Sequence, residues 1–390
     1  MSASGSTRRS FLLLGAAGLG SAALAACSPE GPQTAPPASS APAAAPAQVA
    51  VALESGDPAT PTSTRPRLVV RVTGGELDAV EVTDPDGAVL PLTADGAAWV
   101  PPAPLQLGTA YTATARARNG DGAAATGELA FTVVGEDAAA RAKLMPLDGE
   151  TVGVGMPVVV LLTAPVPADQ RQALTDAIVL EGVDGIEGAW RWIADDSVHW
   201  RPREHWPSGT QVRVQVPLTR FQLGEGRWGA EDRDITFTVG DAHVSVADAD
   251  THQMTTRVNG RVVRTMPIST GREDSDPAFV TRSGVHLVSQ KHADYLMDGA
   301  TVGLDYETQV KWATRIADSG EFVHGAPWSV PSQGRANVSH GCINASDEDA
   351  KWFYDLSLRG DVVEVVGTDR RLELTNGLGD WTLTWEQWTA

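Results

Sequence analysis

Residues 321–346 read EFVHGAPWSVPSQGRANVSHGCINAS. The opening EFVHGA is strand-like. The APWSVPSQGRANVS that follows is crowded with Pro, Gly, Ser and Asn, which interrupt regular structure and let a chain double back. The stretch closes on Cys342, flanked by Gly341 and, two residues on, by Asn344. His324 lies 18 residues before Cys342 and His340 only two. A thiol, an imidazole and a glycine-lined turn supply a nucleophile, a base and backbone oxyanion donors, the parts of covalent cysteine catalysis. His324 is the candidate base, because the returning loop can set its ring beside the sulfur. His340 is too near in sequence for an in-line approach and is assigned to bracing the loop.

Downstream, Ser346 can cap a helix with Asp347, Glu348 and Asp349 in its first turn; Ala350, Phe353 and positions 356–357 face inward, and Gly360 ends it. Cys342 thus sits on a loop just before a helix N-terminus, where a nearby imidazole supplies most of the bias toward thiolate and the dipole, four or five residues away, only a modest part. Upstream, HVSVAD, QMTTRV and GRVVRTMPIST read as strands, with Asn259-Gly260 as a hairpin turn. SGVHLVSQ and DYLMD read as further strands, so the reactive stretch is mounted on a β-rich scaffold with one marked helix.

The 390 residues contain two cysteines, Cys27 and Cys342. Thr7-Arg8-Arg9-Ser10-Phe11-Leu12 resembles a twin-arginine export motif, and an apolar run to Ala26 follows that is short for a bilayer span. Leu24-Ala25-Ala26-Cys27 resembles a lipobox, which implies a signal peptide over 1–26 and a lipidated Cys27. Cys342 is then the sole thiol of an exported chain, and an unpaired extracytoplasmic thiol calls for a use. Residues 27–48 are a Pro/Ala/Ser tract without hydrophobic periodicity, expected to be a disordered tether.

From 49 to 135, short alternating segments such as LVVRV, DAVEV and YTATARA are parted by Gly, Pro and Asp turns, the pattern of an antiparallel β-sandwich. The stretch 143–240 repeats its landmarks. Trp99-Val-Pro, Gly108-Thr109 and Phe131-Thr-Val correspond to Trp200-Arg-Pro, Gly209-Thr210 and Phe237-Thr-Val. Two copies of one sandwich are expected, with no metal-ligand spacing in either and with His199 and His205 as ordinary satisfied histidines. The formal net charge of −19 argues against nucleic acid as a partner.

His324, a fourteen-residue gap and Ser339-His340-Gly341-Cys342-Ile343-Asn344 together resemble the signature of the L,D-transpeptidase (YkuD) catalytic domain, over 241–367. The preceding layout and a Trp-rich tail over 368–390 (Trp381, Trp385, Trp388) resemble actinobacterial, mycobacterial-type members. The fold class implied is mainly β: two immunoglobulin-like sandwiches, then the catalytic domain. The resemblance implies that Cys342 is acylated by a donor tetrapeptide stem of peptidoglycan, releasing D-Ala, and that an acceptor bearing meso-diaminopimelate completes a 3→3 cross-link. It also implies inactivation by carbapenems, no metal or organic cofactor, and a site on the outer face of the cell membrane.

Carried over by position, His324 is the base, the Gly325 carbonyl orients it, and the N–H groups of Gly341 and Cys342 form much of the oxyanion hole. Ser339, His340 and Asn344 shape the pocket, Trp328 and Asn337 form its wall, and Tyr306 is a lid tyrosine. Between Met297, a further pocket residue, and Tyr306 the lid is shorter than in those members, with Val302 where a second lid tyrosine is expected. An L,D-carboxypeptidase would use the same site with water as acceptor. A non-catalytic wall-binding lipoprotein would leave Cys342 inert. A sortase-like protein transpeptidase would want an arginine near the site, and none stands at a matching motif position.

Overall fold

The computed structural model describes residues 45–272, 276–302 and 307–390, with the side chains of 301 and 302 also outside the description. The expected export signal, Cys27 and all but the end of the tether therefore lie outside the described residues, as does Tyr306. The chain is already in a strand at Gln48.

Two sheets make the first sandwich. One is ordered Gln48–Leu53, Leu68–Thr73, Ala98–Val100, Thr93–Asp95, and the other Val89–Leu90, Glu76–Thr83, Ala110–Arg118, Ala124–Thr132. The alternation that marks these strands turns Tyr111, Ala113, Ala115 and Ala117 inward, and Tyr111 stacks on Phe131 at 5.9 Å. In the second sandwich, Ala142–Met145, Val158–Leu162, Ser197–Pro202 and Gly188–Ala194 face Thr151–Val152, Arg233–Val239, Gln211–Val216 and Val179–Glu181. Trp200, Trp206 and Phe237, two of them repeat landmarks, are buried in its core.

The C-terminal unit stacks a five-stranded sheet on a four-stranded one. The first runs Arg261–Pro267, Gln253–Val258, His243–Asp248, Val362–Val366, Gly284–Leu287; the second Gln290–Asp298, Glu307–Arg315, Phe322–Gly325, Ile343–Ala345. Met254, Met266, Val323, Ile343, Phe353 and Val363 fill the space between them. The hairpin forms where expected, with Asn259 at φ 50° and Gly260 at φ 79°, the positive values a tight two-residue turn needs.

Four sequence expectations are corrected. The helix is Asp347–Leu356, capped by the Ser346 hydroxyl accepting from Asp349 N–H, and it stops before Gly360 because the buried Ser357 turns out of helical geometry and returns its hydroxyl to the Phe353 carbonyl at 2.7 Å. Arg171–Ala177 and Trp385–Trp388 are helical as well. Glu307–Arg315 is a strand that its mostly polar side chains concealed. Ile343–Ala345 is a short strand between Cys342 and the helix, so the thiol does not abut the helix N-terminus.

The tail is not a loose appendage. Arg201, 1% exposed, is ringed by Trp381, Trp388 and Trp385 at 4.4, 4.7 and 5.5 Å from their ring centroids. Asp380 meets His199 Nδ1 at 2.7 Å, and the indoles of Trp381 and Trp388 donate to the carbonyls of Gly155 and Ala189. These contacts bind the chain end to the second sandwich. Gly153 and Gly155 donate to the Arg359 and Gly360 carbonyls nearby, an approach so close that a Cβ on Gly153 would lie 2.2 Å from Asp361 N.

Candidate active site

Register builds the site. Phe322–Gly325 pairs in parallel with Ile343–Ala345, His324 opposite Asn344 and Val323 opposite Ile343. Side chains alternate along strands, so Phe322 and His324 share a face with Cys342 and Asn344. All four line one cavity of about 640 Å³. The loop from Pro327 to Val338 carries Trp328 and Val338 to the same cavity, and Trp328 is 56% exposed with its ring 6.1 Å from that of His324.

His324 Nδ1 lies 2.8 Å from the Gly325 carbonyl. A carbonyl only accepts, so Nδ1 bears the proton and Nε2 is left basic. Burial pushes the imidazole down to about 4, against the Gly325 and Asn344 hydrogen bonds, which favour the charged form. Burial likewise pushes the Cys342 thiol up to about 12, with Glu321 adding to the rise and Arg315 opposing it. The Sγ–H points to the Gly320 carbonyl at 3.5 Å. The pair therefore rests as thiol and neutral imidazole, which corrects the expectation of a standing thiolate. A strand separates Cys342 from the helix, and desolvation outweighs what a distant dipole can offer.

The turn before the thiol is knotted by Ser339. Its hydroxyl donates to the Cys342 carbonyl at 2.6 Å and accepts from Gly341 N–H at 3.1 Å. Thr281 Oγ1 donates to the Gly341 carbonyl at 2.9 Å. Gly341 has φ +121°, a conformation L side chains rarely adopt. The expectation that Gly341 N–H is an oxyanion donor is corrected in this conformation, since that N–H is bound to Ser339.

His340 accepts from Arg272 Nη2 at 3.1 Å and sets its ring edge on Phe279 at 4.7 Å, the bracing arrangement its position implied. Asn344 Nδ2 donates to Ser329 Oγ at 3.2 Å, and Met297 lines the cavity. Asn337 does not. Its side chain is engaged by Thr270 N–H, the Ala249 carbonyl and His252, so it ties loops together away from the lining. Tyr306 lies outside the described residues, and among them no cluster of three or more His, Cys, Asp or Glu could hold a metal.

Sequence reasoning missed Tyr295, Arg315, Asp318 and Gly320, which also line the cavity. None belongs to a local motif, and Arg315 closes the strand that went unread. The absence of a motif arginine thus gave no ground against a sortase-like site, since Arg315 reaches the cavity through the fold.

Residues 59–222 match the bacterial Ig domain family, in one match crossing both sandwiches, and residues 242–365 match the L,D-transpeptidase catalytic domain family. L,D-transpeptidase 2 of Mycobacterium tuberculosis is 39% identical over 371 residues, covering 88% of this chain and 89% of the relative. L,D-transpeptidase 5 of the same species is 33% identical over 330 residues, 83% of this chain and 72% of the relative. A solved L,D-transpeptidase structure in complex with imipenem is 37% identical, covering 57% of this chain and 97% of its own at a TM-score of 0.49.

Proposed function

The chain belongs to the L,D-transpeptidase family, and on that premise we propose that it joins peptidoglycan stems through a thioester on Cys342. The supporting observation is the neutral pair in one cavity: a thiol, and an imidazole whose Nδ1 is fixed 2.8 Å from the Gly325 carbonyl, which leaves Nε2 as the basic nitrogen.

Attack and proton transfer then go together. As Sγ bonds to the carbonyl carbon of the donor stem, its proton passes to His324 Nε2, so no charged thiolate has to persist in a desolvated site. The Cys342 N–H holds the oxyanion. His324 returns the proton to the departing D-Ala amine as the C–N bond breaks, leaving a thioester and neutral imidazole. The acceptor amine of a diaminopimelate side chain attacks next, His324 takes its proton, and Sγ leaves as thiol. Trp328 at the cavity mouth favours an ordered acceptor over water.

Cys342 is also proposed as the atom that carbapenems acylate. The family's substrate lies outside the cytoplasm; residues 1–26 are proposed as the export signal and a lipidated Cys27 as the anchor. Incubation of the purified protein with tetrapeptide-stem muropeptides tests the reading. Mass spectrometry is expected to find D-Ala release and 3→3 dimers; tripeptide alone at high acceptor concentration makes it a carboxypeptidase, and no change makes it a wall-binding protein.

A further inference from the structure

We propose that Arg315 reads a free carboxylate of the peptide stem that occupies the cavity, and so selects between acidic and amidated stems. The proposal deepens the transpeptidase reading and rests on it for the identity of the substrate.

Arg315 ends the Glu307–Arg315 strand and lines the cavity with Cys342. Its guanidinium lies over the Phe322 ring, 4.3 Å from the centroid, and 5.8 Å from that of Tyr295. Nη2 donates to the Tyr295 hydroxyl at 2.9 Å, and Nη1 reaches the Ala317 carbonyl only at 3.5 Å. Nε is buried without a hydrogen-bond partner. Among the described residues Arg315 has no ion pair. Glu321, six residues on, is taken by Arg282 at 2.7 Å and by the Ser319 hydroxyl, while Glu373 holds the other side of Arg282 at 2.9 Å.

A guanidinium held against the Phe322 ring and the Tyr295 hydroxyl, half-buried and without a carboxylate, is a charge set up for an incoming anion, because removal from water disfavours it until one arrives. Its planar fork matches a carboxylate through two parallel hydrogen bonds, and the ring contacts fix the fork before binding. Asp298 and Asp318 line the same cavity. A purely anionic group is therefore poorly received, and the fit is to a zwitterionic amino-acid end: carboxylate toward Arg315, ammonium toward the acids.

The test is binding, so it does not depend on turnover. Cys342→Ala and Cys342→Ala/Arg315→Met are titrated by calorimetry with tetrapeptide stems whose diaminopimelate side-chain carboxyl is free or is a primary amide. The Arg315 replacement is expected to weaken the free acid about tenfold or more, the scale of one charge-assisted pair, and the amide less than about threefold. Arg315→Lys, which keeps charge and loses the fork, should fall between, and thermal melts establish that each variant is folded. Equal weakening of both ligands, or equal affinity of the unsubstituted Arg315 protein for both, overturns the proposal. Selective binding without product in the wild-type enzyme would instead overturn the transpeptidase reading and leave Arg315 as an anion reader.

Discussion

Three of the four buried histidines among the described residues mark two kinds of place. At the seam between the second sandwich and the C-terminal unit, His199 is bound to Asp380 at 2.7 Å and to Ser197 at 3.1 Å, and His243 to Asp361 at 2.9 Å. In the cavity, His324 has a backbone carbonyl on Nδ1 instead. A carboxylate holds an imidazole in place with a counter-charge; a neutral carbonyl fixes its place and its Nδ1 tautomer without one. The hydrogen bond to Asp361 holds His243 above its ordinary value, whereas burial drives His324 down to about 4. Burial also lifts Asp361, so the two partners pull opposite ways; the direct contact at 2.9 Å decides that this pair keeps its proton. Seam histidines hold the fold, and the cavity histidine stays free to exchange a proton.

The contrast fails most visibly if chemistry and stability cannot be separated. Cys342→Ala is expected to abolish dimer formation, a loss of at least about 10³-fold, with a melting temperature within about 2 °C of wild type. Retained cross-linking would remove Cys342 from the chemistry. His324→Gln should cost about 10²–10⁴-fold in turnover while the fold persists.

The neutral resting pair sharpens the same point through pH. Because burial places imidazole and thiol near 4 and 12, neither titrates near neutrality, and kcat/KM should be flat from about pH 6 to 9. Iodoacetamide should label Cys342 slowly at pH 7 and faster as pH rises past 9, since alkylation needs thiolate. Rapid labelling at pH 7, or a bell centred between 6.5 and 8.5, would mean a charged pair.

At the seam, Asp380→Ala leaves His199 and the indole-ringed Arg201 without their acid. It should lower unfolding stability by about 3 kcal/mol in urea while leaving kcat/KM within about twofold. A large activity loss in the folded variant would erase the distinction between the two regions. The smallest effect is His243. Its folded value is raised, so its contribution is complete below the unfolded value of about 6.5 and is lost as pH rises through the raised one. His324, depressed, acts oppositely, its stability contribution being lost as pH falls from about 6.5 toward 4. The melting temperature should therefore decline by roughly 1–3 °C on the alkaline side, and His243→Gln should flatten that decline.

Much of the scaffold is written locally. Alternating strands with Gly, Pro and Asp turns, the Asn259-Gly260 hairpin and the Ser346 cap depend on backbone preferences of adjacent residues, and each formed as read. The reactive motif was legible for the same reason, as a short fixed spacing. Other features were set only by distant partners. The strand ending at Arg315 has no hydrophobic signature because its side chains mostly face water or a cavity. Asn337 left the pocket wall because Thr270, Ala249 and His252 surround it. The tail found Arg201 across more than 180 residues of sequence. Protonation of the Cys342–His324 pair belongs to this second class. Residue type sets the ordinary values, but the cost of charge depends on what has folded over the group, and that exists only once the strands have met.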